Sequence, residues 1–529
     1  MNMLVPPEIY ICIGQFLSPQ DLASCNRVSK SWHQVFVPLL YHSVDDSLPN
    51  RPSFTALREY KHHLREAKVA VGGSYFGLLC NLHFDEPSPP NLKNLYLQIV
   101  VGKFNPPSTA QLLKSTPGLQ ALTIDCVCIK EMNFPWYAIL DYSFVNLQEL
   151  HLKICDITKD TFQFIGRVGS TLRILCFYLC GLEAVNFSDL LTTTEEHPLF
   201  PNISKLSMVG TGHGSIDLGL WLTNSPRLRT LVWGPGLYSN TLWSTTRLFS
   251  TMLASWWSNI QSLSLGYHHY MALTDSELSQ ILDLCAPLTK FVAPNSGFSI
   301  RSFNSLERHF LTLQDLELSD ADGVQSWMNQ EILSSCPRLI NFRSTVLFAC
   351  DLVQDEYAKS MRKTMVQRAN ATKPSYQGGE INFSLQDRHF TTRYLSEVRP
   401  WVCLGLKVLT LAILQMAAPW HEPIFKRIST LNELRTLNLD VAPKYRMAGS
   451  RYLEFNLYTG MRHLESLRHL EELKFKRTHQ MMQEWDVRWM LDSWPRLRDL
   501  TLDLHGLHDV NIQLCKIVHD HISRHDAPS

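Results

Sequence analysis

A six-residue pattern, apolar-x-x-apolar-x-apolar, returns fourteen times along the chain and constrains its fold more than any other feature. It opens at Leu92/Leu95/Leu97 and runs through Leu119/Leu122/Ile124, Leu147/Leu150/Leu152, Leu172/Leu175/Phe177, Ile203/Leu206/Met208, Leu228/Leu231/Trp233 and Ile260/Leu263/Leu265. Next come Leu288/Phe291/Ala293, Leu313/Leu316/Leu318, Leu339/Phe342/Ser344, Leu406/Leu409/Leu411, Leu434/Leu437/Leu439, Leu470/Leu473/Phe475 and Leu497/Leu500/Leu502. The last two positions of each unit lie two residues apart, the spacing of one face of a β-strand. Apart from one gap of 67 residues, successive units start 25 to 36 residues apart. Five units carry a proline shortly before the strand, in Thr116-Pro117-Gly118-Leu119, Ser225-Pro226-Arg227-Leu228, Ala286-Pro287-Leu288, Cys336-Pro337-Arg338-Leu339 and Trp494-Pro495-Arg496-Leu497. Proline cannot continue a helix, so each marks where a helix stops and the chain turns into the next strand. The expected fold is therefore α/β: a stack of strand–loop–helix units.

This period and order resemble leucine-rich repeats, whose units run about 20–29 residues. The resemblance implies a solenoid over residues 64–510, with parallel strands on a concave face and helices on a convex one. Leu64/Ala67/Val69 fit as a first, capping unit. The long gap would hide a degenerate unit at Gly378/Ile381/Phe383 and an insertion over about 350–377. There Lys359, Arg362, Lys363, Arg368 and Lys373 read as a solvated helix ending in a loop. Cys155 and Cys180 fall three residues after a strand, where a small buried thiol caps the turn.

Residues 1–44 carry no repeat. Pro7 and Glu8 suit a helix start, with Ile9, Ile13, Phe16 and Leu17 on one face. Ser18, Pro19 and Asp21 suit a second start, Ser18 as N-cap in a capping-box-like pair with Asp21. A third helix is expected from Ser29, with Trp32, Val35 and Phe36. Three short helices make a module too small to be very stable alone, so completion by a partner is expected.

The order Val5-Pro6-Pro7-Glu8-Ile9, Ile13, Phe16-Leu17-Ser18-Pro19-Gln20-Asp21-Leu22, Cys25, Val28-Ser29-Lys30-Ser31-Trp32 closely resembles an F-box motif. Val5 stands where leucine is common. An F-box at 1–44, a linker helix region at 45–63, the repeats and a tail at 511–529 together look like a substrate receptor of an SCF-type ubiquitin ligase. Details such as Asp486-Val487-Arg488-Trp489-Met490-Leu491 are similar to F-box repeat proteins of filamentous fungi. The resemblance implies docking on the ligase's small adaptor subunit and, through it, on the cullin. By motif position Pro6, Pro7, Ile9, Leu17, Leu22, Val28 and Trp32 would carry that contact. Of the apolar residues, Ile13, Cys25 and Trp32 are expected mainly in the module's own core, and Pro6, Pro7 and Leu17 mainly at the contact. The alternative is a non-proteolytic repeat scaffold.

A protein substrate would meet the strand residues that alternate with the leucines, among them Asp315, Glu317 and Arg343. Aromatic residues are dense from Trp221 to Tyr270, and aromatics dominate protein-binding hot spots. Trp233 occupies a core position and Trp256-Trp257 a predicted helix. Tyr238, Tyr267, His268 and Tyr270 fall in loops and are the better substrate contacts.

Other functions lack a signature. Lys plus Arg and Asp plus Glu both number 49, a neutral balance with no electrostatic reason for a nucleic-acid or membrane partner. No run of about 18 apolar residues suggests a membrane span, and the first residues lack the features of a signal peptide. Thirteen cysteines thinly spread over 529 residues suit a reduced cytoplasmic or nuclear setting. No phosphate-binding loop, HExxH motif or nucleophile elbow is present. Gly210-Thr211-Gly212-His213-Gly214-Ser215 reads as a loop, and Cys126-Val127-Cys128 lacks zinc spacing. His519-Asp520-His521 with Cys515 reads as a polar helix, and His62, His63, His463 and His469 lack ligand geometry. No cofactor, metal or catalytic residue is expected.

Overall fold

The computed structural model describes residues 6–48, 52–81, 91–100, 105–126, 134, 136, 139–140, 142, 144–182, 198–211, 218–235, 257–266, 273–321, 323–371, 398–414, 416–440, 452–480 and 482–504. Two compact units divide the chain, Met1–Ile260 and Gln261–Ser529.

The first unit opens with α1 (Pro7–Gly14), α2 (Pro19–Cys25) and α3 (Lys30–Leu40). The helix starts follow the sequence. Ser18 and Asp21 form a reciprocal capping box on α2, and the Ser29 side chain caps α3 through the Trp32 amide. These bonds satisfy N–H groups that the first helical turn leaves without partners. The unit continues with β1 (Ser43–Asp45), β2 (Glu66–Ala70), β3 (Asn94–Ile99), β4 (Ala121–Cys126), β5 (Glu149–Lys153), β6 (Asp156–Ile157), β7 (Ile174–Tyr178), β8 (Gly181–Leu182), β9 (Lys205–Thr211) and β10 (Thr230–Pro235). Eight of these build a parallel sheet in the order β1-β2-β3-β4-β5-β7-β9-β10, while β6 and β8 pair separately.

The second unit holds β11 (Ser262–Leu265), β12 (Lys290–Val292), β13 (Asp315–Glu317), β14 (Asn341–Phe348), β15 (Val408–Leu414), β16 (Thr436–Asn438), β17 (Glu472–Gln480) and β18 (Asp499–Leu504). Each pairs in parallel with the next. All fourteen sequence units become strands, and their apolar positions stand in register: Leu122 opposes Leu150, and Leu409 opposes Leu437. Helices such as Pro106–Lys114, Asp275–Leu284, Ser326–Ser335 and Glu484–Ser493 return the chain between strands, and each ends just before its proline. The fold class is thus the expected one, a solenoid-like α/β repeat behind a helical module.

The strand leucines are buried. From Ala67 and Val69 of β2 to Leu473 and Phe475 of β17 these positions are under a tenth exposed; in β18, Leu500 is half-buried. Where strands end, Ile154, Leu179, Asn295 and Asp320 all take a left-handed φ of 52–57°, each two residues past the last apolar position. The amides of Ile154 and Leu179 donate to Tyr178 O (2.8 Å) and Val209 O (2.7 Å) of the following strand, which holds a conformation costly for a side-chain-bearing residue. Beside them Cys155 and Cys180 are buried, and the Cys180 thiol donates to Leu152 O of the preceding unit (3.3 Å), a cap of the kind their spacing predicts.

Two expectations need correction. Asn341 of β14 registers directly with Val408 of β15, so no strand from Ile381 and Phe383 lies between them. Those two residues lie outside the described ones. The inserted helix exists, Glu356–Ala371, but Arg362 is not solvated. It is buried, donating to Cys350 O and to Val353 O (2.9 Å), and so pins the helix to the turn before it. A further strand, β1, begins the sheet before the first recognisable unit; Val44 is its one apolar residue and is buried.

Candidate protein-docking surfaces

Residues 6–48 form the first surface. Tyr10 of α1 meets Trp32 and Phe36 of α3, ring centroids 5.4 and 6.3 Å away, and Trp32 meets Phe36 at 5.4 Å. Gly14, one turn after Tyr10, has no side chain because a Cβ there would run into Leu39 and Phe36. Tyr10 and Gly14 thus turn α1 toward α3. The remaining apolar residues of α1 point elsewhere: Ile9, Ile11 and Ile13 are 40–49% exposed, Phe16 just beyond the helix 89%, and Val28 before α3 63%. A concentration of large apolar side chains in water at one end of a chain marks an interaction surface.

Among the residues expected at the adaptor contact, Pro6, Pro7, Ile9 and Val28 are exposed, and Leu17 and Trp32 are half-buried. Leu22 is only 6% exposed and belongs to the module's core, because α2 turns this residue inward as it packs on α3. Ile13, expected in the core, faces solvent. Ile11 and Phe16 were not among the expected contacts. The Tyr10/Gly14 spacing of four is the one sequence signal for which side of α1 is inward.

The second surface is the side-chain row of each sheet that alternates with the leucines. In the first unit Asp45, Lys68, Tyr96, Asp125 and Lys153 form a connected group. Lys68 pairs with Asp45 at 3.1 Å, and both lysines approach the Tyr96 ring, 5.7 and 5.4 Å from its centroid. The Tyr96 hydroxyl donates to Asp125, and burial followed by that bond pushes the phenol well above its usual range. Asp45, Lys68 and Tyr96 of this group line an open depression of about 390 Å³ that runs from Ser43 to Thr123. In the second unit Asp315 and Glu317 of β13 lie beside Arg343 of β14, and each is engaged within the sheet: Asn341 donates to Asp315, and Arg343 lies 3.5 Å from Glu317. Lys474 likewise joins Glu472 and Asp499. Tyr238, Tyr267, His268 and Tyr270 lie outside the described residues. Trp221, Trp233 and Trp257 are core.

Among the described residues no cluster of three His, Cys, Asp or Glu side chains could hold a metal, and no helix is long and apolar enough to cross a membrane.

Helices α1–α3 and β1 coincide with a match to the F-box-like family model over residues 4–47. The class defined by fold and surface is therefore an F-box-like module followed by parallel-stranded α/β repeats. No curated protein matches the chain. Among solved structures it is similar to a chain of the crystal structure of the Rad7 and Elc1 complex in yeast, at 12% identity and a TM-score of 0.33, over 95% of this chain and 91% of that one.

Proposed function

We propose that this chain is the substrate-recruiting, non-catalytic subunit of an SCF-type ubiquitin ligase. The observation that carries the reading is the set of exposed apolar residues on the F-box-like module, Ile9, Ile11, Ile13, Phe16 and Val28. They supply the apolar patch that an adaptor subunit would cover, and the adaptor would join the chain to a cullin. The repeats, of leucine-rich type, then hold a protein substrate on their alternating strand residues. The contribution to ubiquitin transfer is proximity, the chemistry being done by other subunits. Its setting is the cytoplasm or the nucleus.

The test is co-purification. Pro7→Glu together with Leu17→Glu, or Phe16→Asp alone, abolishes association with adaptor and cullin while the repeats stay folded by circular dichroism. Undiminished association rejects the reading. Substrate accumulation on proteasome inhibition separates a degradative role from a scaffold.

A further inference from the structure

Two aromatic side chains of the second unit reach into water. Tyr458, on the 3-10 turn Leu457–Thr459, is 87% exposed, and Trp485, on helix Glu484–Ser493, is 50% exposed. With Leu457 and Arg462 they line an open depression of about 460 Å³, within the ~300–1,000 Å³ of ligand clefts. The turn precedes β17 and the helix follows it, so the depression joins two consecutive crossovers on one side of the sheet.

The two elements are fixed against each other by a buried carboxylate. Asp486 is fully buried and accepts from the Leu457 amide (2.9 Å) and the Gln483 amide (2.8 Å). It thereby ties the residue before Tyr458 to the residues on either side of Trp485. The turn is held further by the Asn456 side chain, which accepts from the Thr459 amide (3.0 Å). After it, Gly460 takes a φ of 99°, and a Cβ there would come within 3.1 Å of Glu422 Cα. The aromatics are therefore presented on a rigid base, which lowers the ordering cost of binding.

The chemistry of the lining is one-sided. Among the described residues, Arg462, the Tyr458 hydroxyl and the Trp485 indole N–H have no hydrogen-bond or ion-pair partner, and no carboxylate lines the depression. Neighbouring Glu484 is engaged by Arg488 at 2.5 Å, and both Asp486 oxygens are taken by amides. Among the described residues, what remains is a guanidinium with no counter-charge and two further donors beside aromatic faces. Tyr, Trp and Arg are also the three side chains most enriched at binding hot spots.

We propose that this depression docks an extended acidic peptide segment of a partner protein, a carboxylate meeting Arg462 and a neighbouring apolar side chain lying between Tyr458 and Trp485. The site is independent of what the F-box-like module binds. The test pans phage-displayed random dodecapeptides on the full chain, after counter-selection on the Tyr458→Ala, Arg462→Glu, Trp485→Ala triple variant. Surviving peptides are enriched in Asp or Glu beside an apolar or aromatic residue. A fluorescein-labelled copy of the most enriched one binds more weakly as salt rises. Arg462→Glu costs it about tenfold and Tyr458→Ala with Trp485→Ala about thirtyfold. A peptide with its acidic residues changed to lysine regains affinity for Arg462→Glu. All three side chains are exposed, so the variants melt like the parent and keep any adaptor association. No surviving peptide, survivors without acidic bias, or affinity untouched by these substitutions overturns the proposal.

Discussion

The F-box-like module and the sheets are built from the same apolar residue types and use them in opposite ways. In the sheets, an isoleucine, leucine or phenylalanine at a repeat position is covered by the equivalent residue of the next unit, as Leu150 is by Leu175 and Leu316 by Phe342. A repeated unit always has a neighbour of the same shape to bury its face. The module has only three short helices, and Tyr10, Gly14, Leu22, Phe36 and Val37 are enough to fill their centre. Everything apolar beyond that is left over, and five large side chains between Ile9 and Val28 are in water. An exposed isoleucine in the module is thus a statement about a partner, whereas a buried one in a strand is a statement about the next repeat.

The strongest way to break this contrast is to cut equal pieces from both regions. Leu150→Ala and Leu409→Ala remove fully buried side chains, and each should lower unfolding free energy by about 2–5 kcal/mol in urea titrations. Phe16→Ala, at 89% exposure, should change stability by no more than about 0.5 kcal/mol yet weaken adaptor association. A Phe16→Ala variant that melts like Leu150→Ala would mean the module's apolar face is internal after all. Leu22→Asp provides the internal control: it should unfold the module, since a charge cannot stay at that buried position without a partner.

The sheet was readable because its signal is repeated. Fourteen copies of one spacing fix strand positions that no single copy could, and the prolines mark where helices stop. What resisted were features with no period. Ser43–Asp45 offers one apolar residue, and becomes β1 only because β2 is there to pair with it. The interval from Leu339 to Leu406 has room for a unit by arithmetic, yet β14 bonds β15 directly, since spacing alone cannot tell a repeat from an insertion. In the module, Pro7, Ser18 and Ser29 announced the helix starts, but helical periodicity shows that a face exists and not what covers it. Hence Leu22 and Ile13 exchange their expected places. The Tyr458–Trp485 depression was invisible for a third reason: its two elements are joined by a contact across 29 residues, from the Leu457 amide to Asp486, which no local pattern announces.

A titration asks how tightly the second sheet is closed. His309 is buried, its Nδ1 accepting from the Leu288 amide (3.0 Å) and its Nε2 lying 3.1 Å from Leu282 O. Both bonds together require the neutral ring, and burial lowers its pKa below the usual histidine value. The unfolded chain then binds the proton more readily. Stability should be complete above about pH 6.5 and fall as pH drops through the lowered folded value, by at most about 1.4 kcal/mol per pH unit for one proton. His309→Gln should flatten that slope in urea titrations between pH 5 and 7. Arg308 and Asp283, which also act on the ring with opposite signs, are kept unchanged. An unchanged slope would place the acid sensitivity elsewhere. Ser18→Ala, which removes the α2 cap, should cost about 1 kcal/mol and only in the module.

The smallest effect concerns the polar face of the second sheet. Glu317 and Arg343 sit on neighbouring strands 3.5 Å apart, with side chains 29% and 51% exposed. Water screens a pair of this kind, so a double-mutant cycle of Glu317→Gln and Arg343→Gln should give a coupling of about 0.2–1 kcal/mol, shrinking with added salt. A pair worth so little to the fold can be parted by a charged substrate segment at small cost. If that face holds the substrate, the same two substitutions should alter substrate retention far more than they alter melting. A coupling of several kcal/mol would instead make the pair part of the scaffold, and would move substrate recognition away from β13 and β14.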